Sequence, residues 1–278
     1  MSVNETVLEM HYHKPLMDLF RTTFGVGPTG QINFFKYSPQ REVFIGFDQA
    51  YVRTELTEDA FLRLLRTSAD THSYRMPDRF VGYFLQFKVV TVLKNRMAHT
   101  PIGITAKPHY RATLCTAKDD GVAFSQHQLL HRLSRNLGAM VYYACPMLFD
   151  RADLYNIDVD LDTLRIPDLA TCPSEYADNG KHHIYFDSPD ASPVWCSEPQ
   201  EGRALSAPEF ARVVLEQANA TDAAASAKTL LDQLTHDGAL GLEPTVSLLE
   251  PDVRRSSVLR FCGEALTVIQ IPGQERPA

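Results

Sequence analysis

Three polar side chains stand in or beside apolar runs of the kind that form buried strands. Asp48 directly follows the run 44–47, and Gln86 and Lys88 interrupt the almost continuously apolar stretch 80–93. An ionisable group inside a buried strand is costly unless another group pairs with it. Gln86 and Lys88 are two positions apart, so a strand points both to one face. We expect the two runs to be neighbouring strands, with Asp48 facing the same point.

Together these residue types can bind a metal ion and a phosphate, but each also has a structural interpretation. Carboxylate and amide oxygens are hard ligands of the kind that Mg²⁺ prefers, and an ammonium group binds phosphate. Alternatively, Asp48 caps a loop at a strand end. Gln86 and Lys88 can equally form the polar face of an edge strand, where a lysine opposes aggregation.

The composition is that of a globular protein with a sizeable core. The chain has 278 residues, of which 44% are hydrophobic and 22% charged, which allows one large domain or a core with an appendage. No apolar run approaches the roughly 18 residues of a membrane span, and the first residues lack a signal-peptide pattern. The five cysteines form no C-x-x-C pair, which favours reduced thiols. We expect a cytoplasmic protein with no membrane segment.

Charge is unevenly distributed along the chain. The net charge is −7, yet residues 80–151 hold nine Lys and Arg against three Asp, while residues 152–278 are strongly acidic. A basic middle and an acidic end fit a nucleic-acid site on the core. They fit solvated surface equally well.

Local patterns predict the elements that must position the polar residues. Residues 5–24 carry an apolar helical stripe interrupted by Pro15. Residues 32–37 and 42–52 read as the two strands of a hairpin, and residues 57–67 as a helix.

Local patterns also predict the elements from residue 80 to residue 146. Residues 80–93 have the continuous apolar character of a central strand covered on both faces, and residues 110–116 are a further candidate strand. Ser125 and Gln128 have capping-box spacing at the start of a helix, and residues 140–145 follow as a buried strand.

This order of elements, with Asp48 after one strand and Gln86-Phe87-Lys88 in another, resembles the core of the restriction-endonuclease-like, or PD-(D/E)XK, nuclease superfamily over residues 5–146. The resemblance implies an α/β (α+β) fold with a mixed central sheet flanked by helices. It also implies that Asp48 and Gln86 bind Mg²⁺ or Mn²⁺, that Lys88 orients or helps deprotonate the attacking water, and that a glutamate on the first helix assists.

The sequence departs from the family pattern in two ways. Gln86 occupies a position that is usually acidic, and an uncharged amide holds a cation more weakly. The separation of Asp48 from Gln86 is long, so the helix 57–67 must be an insertion.

Several acids compete for the role on the first helix. Glu9, beside the apolar position Leu8, is our choice as catalytic residue and metal ligand, with Glu5 and Asp18 as alternatives. Glu42 is a reserve ligand on the strand before Asp48.

The resulting prediction is a metal-dependent DNA endonuclease or nickase in a phage-defence or mobile-element setting. The chain is divided into a nuclease-like core (1–150), an irregular β extension (151–203) and a C-terminal helical appendage (204–278). A protein partner or a homodimer is expected, since cutting both strands often needs two subunits. The alternative is a catalytically degenerate nuclease fold that binds nucleic acid or assembles with other proteins. Candidate phosphate-binding residues are Arg41, Lys94, Arg96, Lys107, Arg111, Arg132 and Arg135.

Histidines offer a weaker signal. His127 and His131 have i, i+4 spacing on the capped helix, which metal sites can use, but surface or interface histidines are the favoured interpretation. His182 and His183 are adjacent, so on a strand they point apart and make a poor chelate. No nucleotide-binding glycine loop and no G-x-S-x-G motif occurs.

Overall fold

The predicted capping box is formed in the computed structural model of the chain. The Ser125 N–H donates to Gln128 Oε1 at 2.8 Å, and the Gln128 N–H donates to Ser125 Oγ at 3.2 Å. The helix runs over Gln126–Leu137 and ends before Gly138, whose φ of 61° is the left-handed conformation that glycine adopts readily. Local sequence therefore sets both ends of this helix.

The structure describes residues 4–26, 32–38, 43–47, 53–70, 78–97, 100–118, 124–149, 152, 154, 159–178, 180–242, 245–246 and 254–272. Their helices are α1 (Glu5–Thr23), α2 (Glu58–Asp70), α3 (Gln126–Leu137), α4 (Ala207–Ala220), α5 (Ala223–Thr235), α6 (Asp237–Leu240) and α7 (Ser257–Cys262). Their strands are β1 (Asn33–Ser38), β2 (Val43–Phe47), β3 (Arg53–Thr57), β4 (Arg79–Phe87), β5 (Val90–Leu93), β6 (His109–Thr113), β7 (Met140–Pro146), β8 (Leu164–Pro167), β9 (His183–Phe186), β10 (Val194–Cys196), β11 (Gln200–Glu201), β12 (Ala204–Leu205), β13 (Thr245–Val246), β14 (Arg254–Arg255) and β15 (Leu266–Ile271).

Contacts divide the chain into two compact units, each built from three separate segments. Unit 1 comprises Met1–Phe20, Leu85–His131 and Val141–Ala211, and unit 2 comprises Arg21–Phe84, Arg132–Met140 and Arg212–Ala278. The chain is a mixed α/β protein, as the sequence predicts. Within the described ranges, no helix has the length and apolarity that a membrane span needs.

Unit 2 contains an antiparallel sheet in which β4, β15, β1, β2 and β3 pair in that order. The predicted hairpin is confirmed, with Phe34 of β1 opposite Phe47 of β2. Strand β15 lies between β1 and β4, since Phe34 is opposite Ile269 and Ile269 is opposite Val81. Two strands therefore separate β2 from β4.

The helix predicted over residues 57–67 is also confirmed. It forms α2, whose buried face includes Phe61, Leu62 and Leu65, and it packs against α5 in the same unit. The apolar residues recur at helical spacing, which explains why the sequence was sufficient here.

The stretch 80–93 is not one strand, and that prediction is wrong. β4 ends at Phe87, and β5 begins at Val90 and pairs with β6 in another sheet. At the break, the Lys88 N–H donates to the Ala144 carbonyl at 2.8 Å. An unbroken apolar run carries no signal of such a change of partner, because both strands are buried.

Unit 1 contains a second antiparallel sheet with the strand order β11–β10–β9–β6–β5. The end of β4 lies in the same unit, as do β7, β8 and β12. Helix α1 begins in unit 1 and continues past Pro15. Its buried Tyr12 lies 6.0 Å from the Phe87 ring and shares a 2.9 Å hydrogen bond with Thr163. The first turns of α1 are thus anchored beside the end of β4.

The close approach of Gly202 to the buried Trp195 yields a stability prediction. A Cβ at residue 202 would lie 2.3 Å from Trp195 Nε1 and 3.0 Å from Thr171 Oγ1. Gly202→Ala should therefore lower the free energy of unfolding by about 1–3 kcal/mol, since the fully buried indole must shift. Urea denaturation followed by Trp fluorescence measures the loss.

Gly103→Ala is the matched control, because a Cβ at residue 103 would meet nothing within 4 Å. The two variants should differ clearly in denaturation midpoint. Equal midpoints would contradict the tight packing at residue 202.

Candidate functional site

Lys88 is the most deeply buried charged side chain described near the predicted site. It is 1% exposed, and its ammonium donates to both carboxylate oxygens of Glu5, at 3.0 and 3.1 Å. Its Nζ also lies 5.9 Å from the centre of the Tyr143 ring on β7. A buried ammonium needs such an anion, because transfer from water without a partner is expensive.

Gln86 lies in β4, two residues before Lys88, which follows the end of that strand. Its side-chain amide donates to the side-chain oxygen of Gln126, the first residue of α3. The capping box fixes the start of α3 and so the position of Gln126. The structure thus brings Glu5 of α1 to Lys88, while Gln86 contacts α3.

The acid on α1 that contacts Lys88 is Glu5, an alternative to the predicted Glu9. Glu9, our choice from sequence, lies one helical turn further along α1 and is half-buried. Asp18 instead forms an exposed ion pair with Lys14 at 2.5 Å. Successive turns of one helix face are equivalent in sequence, so only the packing of α1 distinguishes Glu5 from Glu9.

The expectation that the strands before Asp48 and around Gln86 are neighbours is wrong. In unit 2, β15 and β1 separate β4 from β2, and Phe47 lies in the row of Val81. Three strand spacings amount to about 14 Å. Asp48 itself lies outside the described residues, as do Arg41 and Glu42. In the part of the chain that the structure describes, no group of three or more His, Cys, Asp or Glu could hold a metal ion.

Three of the predicted phosphate-binding residues lie on the surface of unit 1. Lys94, Arg96 and Lys107 are exposed between β5 and β6, and Arg96 also donates to the Pro101 carbonyl at 3.1 Å. Arg111 is only half-exposed within β6. Lys94, Arg96 and Lys107 can reach a phosphate without rearrangement of the sheet.

The other two described candidates belong to unit 2. Arg132 donates to the Leu240 carbonyl at 2.8 Å, which is a structural contact, and Arg135 is exposed at the end of α3.

His127 is a buried histidine rather than the surface residue that the sequence favoured. It is 1% exposed, its Nδ1 lies 2.7 Å from the Tyr143 hydroxyl, and its Nε2 lies 3.4 Å from the Ser174 carbonyl. Burial lowers the pKa of His127 to about 3, and the charge of Lys88 contributes in the same direction. A neutral ring therefore donates to Ser174 and accepts from Tyr143.

His131 does not join His127 in a metal site. The two rings are 6.2 Å apart, and His131 Nε2 lies 3.4 Å from the Cys172 carbonyl. Sequence reasoning missed the role of Tyr143 beside both Lys88 and His127, although residues 140–145 were recognised as a buried strand. A polar hydroxyl in that strand was the available signal, since a buried Tyr hydroxyl needs a partner.

Comparison with known proteins identifies no relative for this arrangement. No protein-family model, no curated protein and no solved structure matches the chain.

Lys88 is buried whereas Glu5 is half-exposed, so substitutions of these two residues should have unequal effects on stability. Glu5→Ala leaves a buried ammonium without its anion and should cost about 3 kcal/mol of unfolding free energy. Lys88→Met should cost less, because the Glu5 side chain is 44% exposed and can be solvated. Combining the two substitutions should recover part of the Glu5→Ala loss, as measured by a double-mutant cycle in urea.

The exposed Lys14–Asp18 pair provides the control for this cycle, and Asp18→Ala should cost less than about 1 kcal/mol. Equal losses for Glu5→Ala and Asp18→Ala would mean that Lys88 does not depend on Glu5.

His127 predicts a pH-dependent loss of stability. Between its ordinary pKa of 6.5 and its folded pKa of about 3, the unfolded chain takes up a proton at His127 and the folded chain does not. Stability should therefore fall as pH decreases through this window, by up to about 1.4 kcal/mol per pH unit from this residue. His127→Gln should flatten the profile in urea titrations from pH 7 to 4.

The parent protein, titrated in parallel, provides the reference slope. If His127→Gln has the same slope as the parent protein, His127 is not the source of the acid sensitivity.

Proposed function

We propose that the chain is a metal-dependent DNA endonuclease or nickase whose hydrolytic centre in unit 1 contains Glu5, Gln86 and Lys88. The observation that carries the proposal is the Lys88 ammonium, 1% exposed and held 3.0 Å from the Glu5 carboxylate, with Gln86 two residues before it in the chain. A buried cation beside a half-exposed acid is a costly arrangement that phosphate chemistry can use.

The donor set fits a magnesium or manganese ion that keeps several of its waters. Glu5 supplies a half-exposed carboxylate, Glu9 lies one turn away, and Gln86 has an amide oxygen. Mg²⁺ is usually bound through one or two carboxylates together with water and substrate oxygens. When bound, such an ion makes a water easier to deprotonate and stabilises charge on the phosphate oxygens.

The chain's own residues have separate roles in this proposal. Lys88 orients the attacking water or binds the phosphate, and Glu5 holds the Lys88 ammonium in position. Gln126 fixes the amide of Gln86 through their hydrogen bond. Exposed Lys94, Arg96 and Lys107 bind the DNA backbone without reading its sequence.

Asp48 remains a predicted metal ligand, and the strand order in unit 2 gives it no support. The cytoplasmic location, the phage-defence or mobile-element setting and the protein partner or homodimer also remain predictions.

Plasmid nicking tests the proposal. Purified protein incubated with supercoiled plasmid and Mg²⁺ or Mn²⁺ should produce open circles, and EDTA should stop the reaction. Lys88→Met should lower the nicking rate by about 10²-fold or more, the usual contribution of a proton-transfer group. Asp18→Asn is the control from the exposed pair and should cleave at the parent rate.

Nicking that persists in Lys88→Met at the parent rate, in protein shown by circular dichroism to be folded, would overturn the assignment. The Asp48→Ala variant tests the remaining ligand separately. Loss of cleavage would support Asp48 as part of the centre, and cleavage at the parent rate would exclude it.

A second candidate is a noncatalytic nucleic-acid-binding or assembly protein on the same fold. The specific observation in its favour is that Glu5 and Gln126 already engage Lys88 and Gln86 within the chain. DNA binding by gel shift in all variants, with no metal-dependent cleavage in any, would support this candidate.

A further inference from the structure

A serine, a histidine and an aspartate form a connected hydrogen-bonded set at one end of β9 and β10 in unit 1. Ser197 Oγ lies 2.7 Å from His182 Nδ1, and His182 Nε2 is hydrogen-bonded to Asp178 Oδ1. The strand register causes this meeting, because His183 of β9 lies opposite Cys196 of β10. His182 immediately precedes the first of these residues, and Ser197 immediately follows the second.

The geometry points to a nucleophilic centre in which Ser197 takes the acyl group of a carboxylic ester, His182 serves as its base and Asp178 orients the base. This activity is independent of the proposed nuclease centre. When the His182 Nε2–H donates a hydrogen bond to the exposed Asp178 carboxylate, the Nδ1 lone pair faces the Ser197 hydroxyl and can accept from it. Nucleophilic catalysis requires a nucleophile hydrogen-bonded to a base and a base hydrogen-bonded to an acid. This requirement is met whichever ring nitrogen faces the serine.

The base is held rigidly while the nucleophile remains accessible. His182 is 2% exposed, and its ring stacks on Tyr176 at 4.1 Å between centroids and 10° between planes. Ser197, by contrast, is exposed. The hydrogen bond from His182 keeps the pKa of the Asp178 carboxyl below its ordinary value, so the carboxylate stays ionised as an acceptor.

Backbone strain coincides with this set. Among the described residues, the non-glycine residues with positive φ are Tyr176, at 47°, and Ser197, at 116°. Both contact the His182 ring. Such conformations are strained for residues other than glycine and cluster at functional sites, where the surrounding structure maintains them.

Gly180 permits the close approach of Asp178 to His182. A Cβ at residue 180 would lie 3.1 Å from His182 Nε2 and 3.2 Å from each Asp178 carboxylate oxygen. The Gly180 N–H also donates to Asp178 Oδ1 at 3.3 Å. The absence of a side chain at Gly180 therefore leaves room for the hydrogen bond between Asp178 and His182.

The reaction is balanced by these groups and water. Ser197 Oγ attacks the ester carbonyl carbon while its proton passes to His182 Nδ1. The bond from the carbonyl carbon to the ester oxygen then breaks, and the departing alcohol takes that proton, leaving an acyl-serine. Water then attacks the carbonyl carbon of the acyl-serine and gives one proton to His182. The bond from that carbon to Ser197 Oγ breaks, Oγ takes the proton from His182, and the carboxylic acid is released.

Labelling of the full-length protein with a fluorophosphonate, located by peptide mass spectrometry, tests the centre directly. The serine displaces fluoride from phosphorus, so an adduct should appear at Ser197. Asp178→Asn should slow labelling by about 10²-fold or more. That substitution should leave the fold intact, because the Asp178 side chain is 71% exposed.

Ser188→Ala is the matched control, an exposed serine in the turn that follows β9, and it should label at the parent rate. The same variants should rank identically in hydrolysis of p-nitrophenyl acetate. Labelling at Ser197 no faster than at Ser188, or a rate unaffected by Asp178→Asn, would overturn the assignment and would leave the nuclease proposal untouched.

Discussion

The burial of one ammonium group is the constraint on which much of unit 1 depends. Lys88 leaves β4 at the point where the chain must turn toward β5, and there its charge is removed from water. The cost is offset by Glu5, so the first turn of α1 must lie against the end of β4. The Lys88 N–H, bonded to Ala144, ties the same point to the neighbourhood of β7. One side chain and its backbone thus connect a helix and two strands.

The surroundings of Lys88 show why the nearby histidine is neutral. Burial is the main cause of the lowered pKa of His127, and the charge of the nearby Lys88 acts in the same direction. The neutral ring can accept from the Tyr143 hydroxyl while it donates to Ser174. Both ring nitrogens of His127 therefore have a partner, which is the condition for burying a polar group without loss of stability.

Local sequence was a good guide wherever the deciding contacts are local. The capping box of Ser125 and Gln128, the hairpin of β1 and β2, and the apolar face of α2 were all readable in advance. The candidate centre was only partly readable. The grouping of Gln86 with Lys88 by strand parity stays a prediction, because β4 ends at Phe87. Helix periodicity could not choose Glu5 over Glu9, because one turn of helix separates two equivalent positions.

The sequence by itself determined most of the element types and the need of a buried lysine for an anion. Each follows from interactions within a few residues or from the cost of burying charge. Only the tertiary structure decided that β15 lies between β1 and β4, that 80–93 divides between two sheets, and that His182 meets Ser197. These outcomes depend on the pairing of segments distant in the chain. Strand pairing is set by packing and register across the whole sheet, which no local pattern records.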